Sequence, residues 1–187
     1  MKTQQTQHYL DRLSNLLRNE NRSKLSLHGL QPVQFDALQY LMVCNRYSDT
    51  PMAVTEFLGQ TKGTVSQTLK VLEKKGFVKK TTDQKDKRVV HLSVTPEGSK
   101  LSEQILASEL LQKGAALRSD HKLEDLNTSL ELLLNKLQLA NQLKTFGQCH
   151  SCRHHTKVTP DGLLCGLTHE RLSTRDATLI CREHHPL

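Results

Sequence analysis

Tryptophan is absent and all aromatics together make up only 4% of the 187 residues, so a wide aromatic ligand box is excluded. No stretch approaches the roughly 18 continuous apolar residues of a membrane span, and Met1–Leu10 is too polar for a signal h-region. The expectation is a cytoplasmic chain that does not engage a membrane. A nucleophile elbow, a phosphate loop and carboxylates paired on one helical face are all missing, so the chain is read as a non-enzyme. Its length suits one compact domain with an appendage, or two small domains. In a reducing compartment, the five Cys and ten His point to metal or redox chemistry sooner than to a disulfide frame.

The net charge is +7, and it is concentrated. Between Thr61 and Arg88 nine basic residues face three acidic ones, whereas the rest of the chain is close to neutral. This is one local electrostatic footprint, either a solvated lysine-rich face or a polyanion-binding one.

Hydrophobic spacing orders the chain into helices. Leu10, Leu13, Leu16 and Leu17 predict an amphipathic helix over Gln4–Arg22. A second opens at Gln31 and Pro32 and carries Phe35, Leu38, Leu41 and Met42. Ser48–Pro51 breaks the pattern, and Met52–Leu58 is a short helix closed by Gly59. Gln60 and Thr61 start a fourth, with Val65, Leu69 and Leu72 inward and Gly76 as its stop. Helix, short turn, helix is the outline of a helix-turn-helix. The period then falls to two: Phe77–Thr81 and Val89–Val94 predict a hairpin around the charged turn Asp83–Arg88, a wing. Thr95, Pro96 and Glu97 start a helix through Leu101, Ile105, Leu106, Leu110 and Leu111, broken at Ser119 and Asp120. A last helix sets Leu123, Leu126, Leu130, Leu133, Leu137 and Ala140 in a heptad seam, and ends at Gly147. Leu132, Leu134, Leu139 and Leu143 widen its apolar face beyond what one partner helix covers. Intramolecular packing or a second copy of the chain would cover it, and a two-fold pair of reading heads suits a palindromic DNA site.

The run TKGTVSQTLKVLEKKGFVKKTTDQKDKRVVHLSVTPEGSKL resembles the winged helix-turn-helix of the MarR family of bacterial transcription regulators, and the likeness extends from Leu30 to Leu101. The resemblance implies a homodimer that binds double-stranded DNA sequence-specifically, often as a repressor, and responds to a ligand or oxidant. The effector is left open. On the fourth helix Lys62, Thr64, Ser66, Gln67, Thr68 and Lys70 are expected to face outward, with the N-terminal end in a major groove. Thr61 and Thr64 suit phosphates, Lys62 and Lys70 likewise, and Gln67 has the donor and acceptor that can address an adenine edge. The family's wing turn reads D-x-R-D-x-R. Here Asp83, Lys85, Asp86 and Arg88 stand in those places, so the tip is a lysine, and Lys85, Lys87 and Arg88 join the expected DNA contacts. An ammonium is more strongly hydrated than a guanidinium, which weakens minor-groove preference at the tip. Arg88 can instead pair with Asp83 or Asp86 to hold the hairpin.

The fold expected is therefore mainly α with a small β-hairpin wing: a winged helix-turn-helix with dimerisation helices at both ends over residues 1–146, and a small Cys-rich, metal-stabilised tail over 147–187. The tail holds Cys149, Cys152, Cys165 and Cys181 and six of the ten His, with too few large apolar residues to fold by itself. Four thiolates beginning with C-x-x-C point to an all-cysteine metal site that supplies folding free energy. An iron–sulfur cluster tolerates isolated cysteines on long loops, and the spacing is similar to that of small high-potential-type four-iron domains. Zinc is the alternative: only the first half is a knuckle, Cys181 with His184 would make an irregular second one, and His154, His155, His169 and His185 are nearby substitutes. A cluster lost on oxidation would make the tail a redox or iron sensor that releases DNA. Cys44, inside an apolar run, reads as a core cysteine rather than a sensing thiol. Two other functions remain open: an electron-transfer or metalloprotein subunit using the winged fold as scaffold, and an adaptor that binds another protein.

Overall fold

The computed structural model describes residues 2–106, 109–115, 120–159 and 162–186. The first helices are α1 (Lys2–Leu27), α2 (Pro32–Val43), α3 (Pro51–Leu58) and α4 (Lys62–Lys74), followed by the hairpin β1 (Val78–Thr82) and β2 (Val90–Val94). Then come α5 (Pro96–Leu106), α6 (Glu109–Ala115) and α7 (Asp120–Ala140). Beyond them β3 (His155–Thr159), β4 (Gly162–Cys165) and β5 (Glu170–Leu172) precede a short α8 (Thr174–Thr178). The expected break at Ser119 lies outside the described residues, and Asp120 opens α7.

Local chemistry sets the boundaries of the helix-turn-helix. Pro32 takes the first helical position of α2, and the Gln34 side chain reaches back to accept from the Gln31 N–H at 3.0 Å. Thr50 caps α3, its hydroxyl accepting from the Ala53 N–H, and Gly59 ends it in the left-handed conformation at φ 59°. A left-handed stop is cheap for glycine alone, which fixes a tight turn into α4. Phe35, Leu38, Tyr40, Ala53, Val54, Val65, Leu69 and Leu72 then meet in one core with Val78 and Leu92 of the wing and Leu101 and Ile105 of α5.

The Thr-Pro-Glu-Gly start of α5 is explained by three contacts. Thr95 donates from its hydroxyl to the Gly76 carbonyl at 2.6 Å, and the same oxygen accepts from the Gly98 N–H at 3.1 Å. Its backbone N–H donates to the Phe77 carbonyl at 3.0 Å. Gly98 is pressed against that peptide: a Cβ there would lie 2.9 Å from Val94 Cγ1 and closer still to the Phe77 oxygen. Backbone cannot yield as a flexible side chain can, so Gly98→Ala is expected to cost about 1–3 kcal/mol as overpacking, read as a lower urea midpoint with an unchanged m-value.

α7 stops earlier than the sequence suggested. It ends at Ala140 rather than Gly147, because Gln142 adopts the left-handed conformation at φ 55°. Its N–H donates to the Leu139 carbonyl at 3.1 Å and the Leu143 N–H to Gln138 at 2.9 Å, the paired bonds of a Schellman stop without its glycine. The tail is also more than a coreless segment. β3, β4 and β5 form an antiparallel sheet in that order, and the module docks on the winged domain. The Ile180 N–H donates to the Val43 carbonyl at 2.8 Å and its own carbonyl accepts from Asn45 at 2.9 Å. Phe146 enters the core beside Tyr40 and Phe57, with ring centroids 5.9 and 5.3 Å away.

Candidate nucleic-acid interface and a cysteine-lined pocket

Thr61 starts α4 as its N-cap: the hydroxyl accepts from the Thr64 N–H at 3.1 Å and lies 2.9 Å from the Thr64 hydroxyl. Thr61 therefore shapes the helix end, while the N–H groups of the first turn point outward as at any helix start, toward a position suited to a phosphate. Lys62, Thr64, Ser66, Gln67 and Lys70 are exposed. Ser66 borders a groove of about 220 Å³ shared with Met52, Lys62 and Lys80. Thr68 does not belong with them, because it is only 4% exposed. It lies three residues after Val65 and four before Leu72, at the margin of the apolar stripe, and the core takes it. Of the expected α4 contacts, Thr68 is withdrawn.

The wing turn is organised by its two carboxylates. Asp83 Oδ1 accepts from the Lys85 and Asp86 N–H groups at 2.7 Å each, which pulls its pKa down. Asp86 holds the Arg88 guanidinium from Nε at 3.0 Å and from Nη2 at 2.9 Å. Of the two partners open to Arg88, the structure selects Asp86. Lys85, Lys87 and Arg88 stay exposed around this frame, while Lys80 is turned to Glu73 at 2.6 Å. The acidic residues of the motif thus build the turn, Asp86 engages Arg88, and Lys85 and Lys87 are left for a polyanion.

Sequence reasoning missed what anchors the wing. His91 on β2 sits between two carboxylates, with Nδ1 2.6 Å from Asp49 and Nε2 3.2 Å from Asp83, and the Leu92 N–H donates to the Asp49 carbonyl at 2.7 Å. The hydrogen bond to Asp49 is the main cause that raises the His91 pKa above 6.5. Burial pushes Asp49 itself up, with His91 opposing it. A raised histidine contributes stability in full below the ordinary value, and loses it as pH rises through the raised one. The wing is therefore expected to be held more firmly in mild acid than at alkaline pH. An NMR titration should place His91 above 6.5 and return it toward that value in Asp49→Asn; an unmoved titration in the variant would contradict the pairing.

The tail brings its four cysteines around one small cavity. Cys149, Cys152, Cys165 and Cys181 line it together with Asn45 and Tyr47 from the α2–α3 loop, and its water-accessible volume is about 30 Å³. All are free thiols. Burial pushes Cys149 up to about 11, aided by Cys181, Cys152 and Cys165. The His185 N–H donates to Cys152 Sγ at 3.4 Å, and His155 Nδ1 lies 3.7 Å from Cys149 Sγ. His184 is not drawn into the cavity. It is 4% exposed, with Nδ1 2.6 Å from the Thr145 hydroxyl and Nε2 3.1 Å from that of Ser151, so both ring nitrogens are engaged and the Cys181–His184 knuckle is withdrawn. Among the described residues no three of His, Cys, Asp and Glu stand close enough to grip a single metal ion, so neither the iron–sulfur nor the zinc expectation draws support from such a grouping. Cys44 packs against the core, and burial pushes its thiol up to about 12, the wrong direction for a sensing thiolate.

Known proteins resemble about 70% of the chain, the reading head included. Residues 28–89 match the MarR family model. The chain is 27% identical over 132 residues to the transcriptional repressor MprA of Escherichia coli, covering 69% of this chain and 74% of that protein. Its structure is similar to that of a mutant MepR from a multidrug-resistant S. aureus clinical isolate, at 25% identity and a TM-score of 0.56 over 71% of this chain and 97% of the other. The S. aureus MepR–DNA complex gives a TM-score of 0.55 at 23% identity over 70% of this chain and 96% of the other, a likeness of fold. Regulators of the MarR family are not enzymes.

The four cysteines of the pocket lie beyond the segment that matches the MarR family model in sequence and against it in space. Arg182, next to Cys181, grips Glu56 of α3 from Nε at 2.6 Å and from its terminal nitrogen at 2.7 Å. Its backbone N–H donates to the Ser48 hydroxyl at 2.8 Å. The α2–α3 loop thus has the cysteine module on one side and, through Asp49, the wing on the other. Among the described residues no helix is long and apolar enough to cross a membrane.

Proposed function

We propose that the protein is a DNA-binding transcription regulator, a repressor, which acts as a homodimer on a palindromic operator and responds to iron or redox state through its C-terminal module. The observation that carries the reading is the set of exposed cations on α4, Lys62 and Lys70, and at the wing tip, Lys85 and Lys87, within the segment that matches the MarR family model. Gln67, exposed on α4, reads a base edge; Thr64, Lys62, Lys70, Lys85 and Lys87 position the duplex through phosphates, and Arg88 holds the wing turn through Asp86. The exposed leucines of α1 and α7 supply the dimer face. Relatives named as repressor or solved with DNA support the class.

Gel-shift titration with the DNA upstream of the protein's own gene tests this. Nanomolar binding that outlasts competitor DNA is the expected result; no binding at low salt overturns it and favours the adaptor reading. Lys85→Ala should flatten the dependence of log K on log salt by about one contact's worth, near 0.9, without changing sequence preference. An unchanged slope would remove the wing tip from the interface.

A further inference from the structure

We infer that Cys149, Cys152, Cys165 and Cys181 form the binding site of an iron–sulfur cluster seated between the tail and the α2–α3 loop. Three observations carry it. First, all four of these cysteines border one cavity although the first and the last are 32 positions apart in sequence. Second, the cysteines enclose room beyond their own side chains: a void of about 30 Å³ is at least twice what a single water needs, roughly 10–15 Å³. Third, one of the sulfurs already has a donor on it, the His185 N–H on Cys152 at 3.4 Å. Hydrogen bonds to the sulfurs are among the terms that set a cluster's potential.

Each cysteine gives one electron pair to one iron and loses its proton to solvent, so loading releases one proton per ligand. The rim makes the site consequential. Asn45 and Tyr47 belong to the loop that also positions Ser48 and Asp49, so the cluster would brace the approach to α3 and the wing at once. That regulatory consequence rests on the DNA-binding reading; the assignment of the ligand does not.

The test is elemental analysis of the full chain, purified anaerobically from iron-supplemented cells. Iron and acid-labile sulfide in equal amounts, about two or about four per chain, with absorbance near 400 nm, are expected. Zinc at about one per chain without sulfide, or no bound metal, overturns the proposal. Cys152→Ser and Cys165→Ser should each lose at least nine-tenths of the iron, whereas Cys44→Ser, outside the cavity, should keep it. Loss in Cys44→Ser to the same extent would overturn the ligand set. Since wild-type metal content is read without DNA and without any variant, neither a misfolded mutant nor a failed gel shift can mask the answer.

Discussion

Replacing Leu130 and Leu137 together by Glu is expected to turn the protein into a monomer and to weaken its binding to an inverted-repeat operator by about 10²- to 10⁴-fold. The two side chains lie two turns apart on one face of α7 and are 41% and 50% exposed. Leu126, Leu134 and Leu139 on the same helix, and Leu13 and Leu16 on α1, are equally uncovered. Apolar surface on this scale is rarely left to water. Burying each leucine fully contributes about 1.5–3 kcal/mol, whereas burying a carboxylate unpaired costs more than that, so the double variant removes the interface and penalises its return. None of the residues placed on DNA is touched. The affinity loss then reports only the linkage between two half-sites, because a second reading head tethered near its half-site acts at millimolar effective concentration. Light scattering after gel filtration and fluorescence anisotropy at fixed salt read both quantities. A wild-type monomer, or a variant within tenfold of wild-type affinity, would rule out a dimer built on this face.

The reading head was legible because its signals are local. Thr61 before α4, Pro51 and Gly59 around α3, and the change of period at Gly76 each act within a turn of the residue that carries them. Thr68 was misjudged because a polar side chain at the margin of an apolar stripe can go either way until the neighbouring helix is in place. The end of α7 was hidden for a different reason: a left-handed Gln142 leaves no compositional mark. What escaped altogether was set by contacts distant in sequence. Arg182 meets Glu56 across 126 positions and Tyr47 meets Glu170 across 123. Neither partner is unusual in its own segment. His91 is the intermediate case, since a histidine facing two acidic loops on a wing strand invites a question that only the placement of Asp49 answers. The four cysteines stood out as a group by composition and the fold gathers them around one cavity, but their attachment to the α2–α3 loop left no mark in the sequence.

That attachment gives the second large effect. Gly147→Ala is expected to undock the tail. A Cβ on Gly147 would lie 2.6 Å from both ring nitrogens of His184, inside van der Waals contact. The ring cannot retreat, being buried and held by Thr145 on one side and Ser151 on the other. The neighbouring Phe146 already sits in a left-handed conformation at φ 45° with its ring in the core, so the chain has little freedom to swing aside. Overpacking of this kind costs roughly 1–3 kcal/mol, enough to open a small module that docks through Ile180, Arg182 and Phe146. Hydrogen exchange should accelerate in β3–β5 and at Asn45, whose N–H donates to Ile180, while the amides of α4 stay protected. The disturbance should also reach the wing, because Asp49 belongs to the freed loop: the His91 titration is expected to drift toward its ordinary value. Gly114→Ala, where the added methyl meets nothing within 4 Å, is the matched control and should leave both readouts unchanged. If Gly147→Ala exchanges like wild type, the tail is not held through His184 and the route from cysteine pocket to wing fails at its first step.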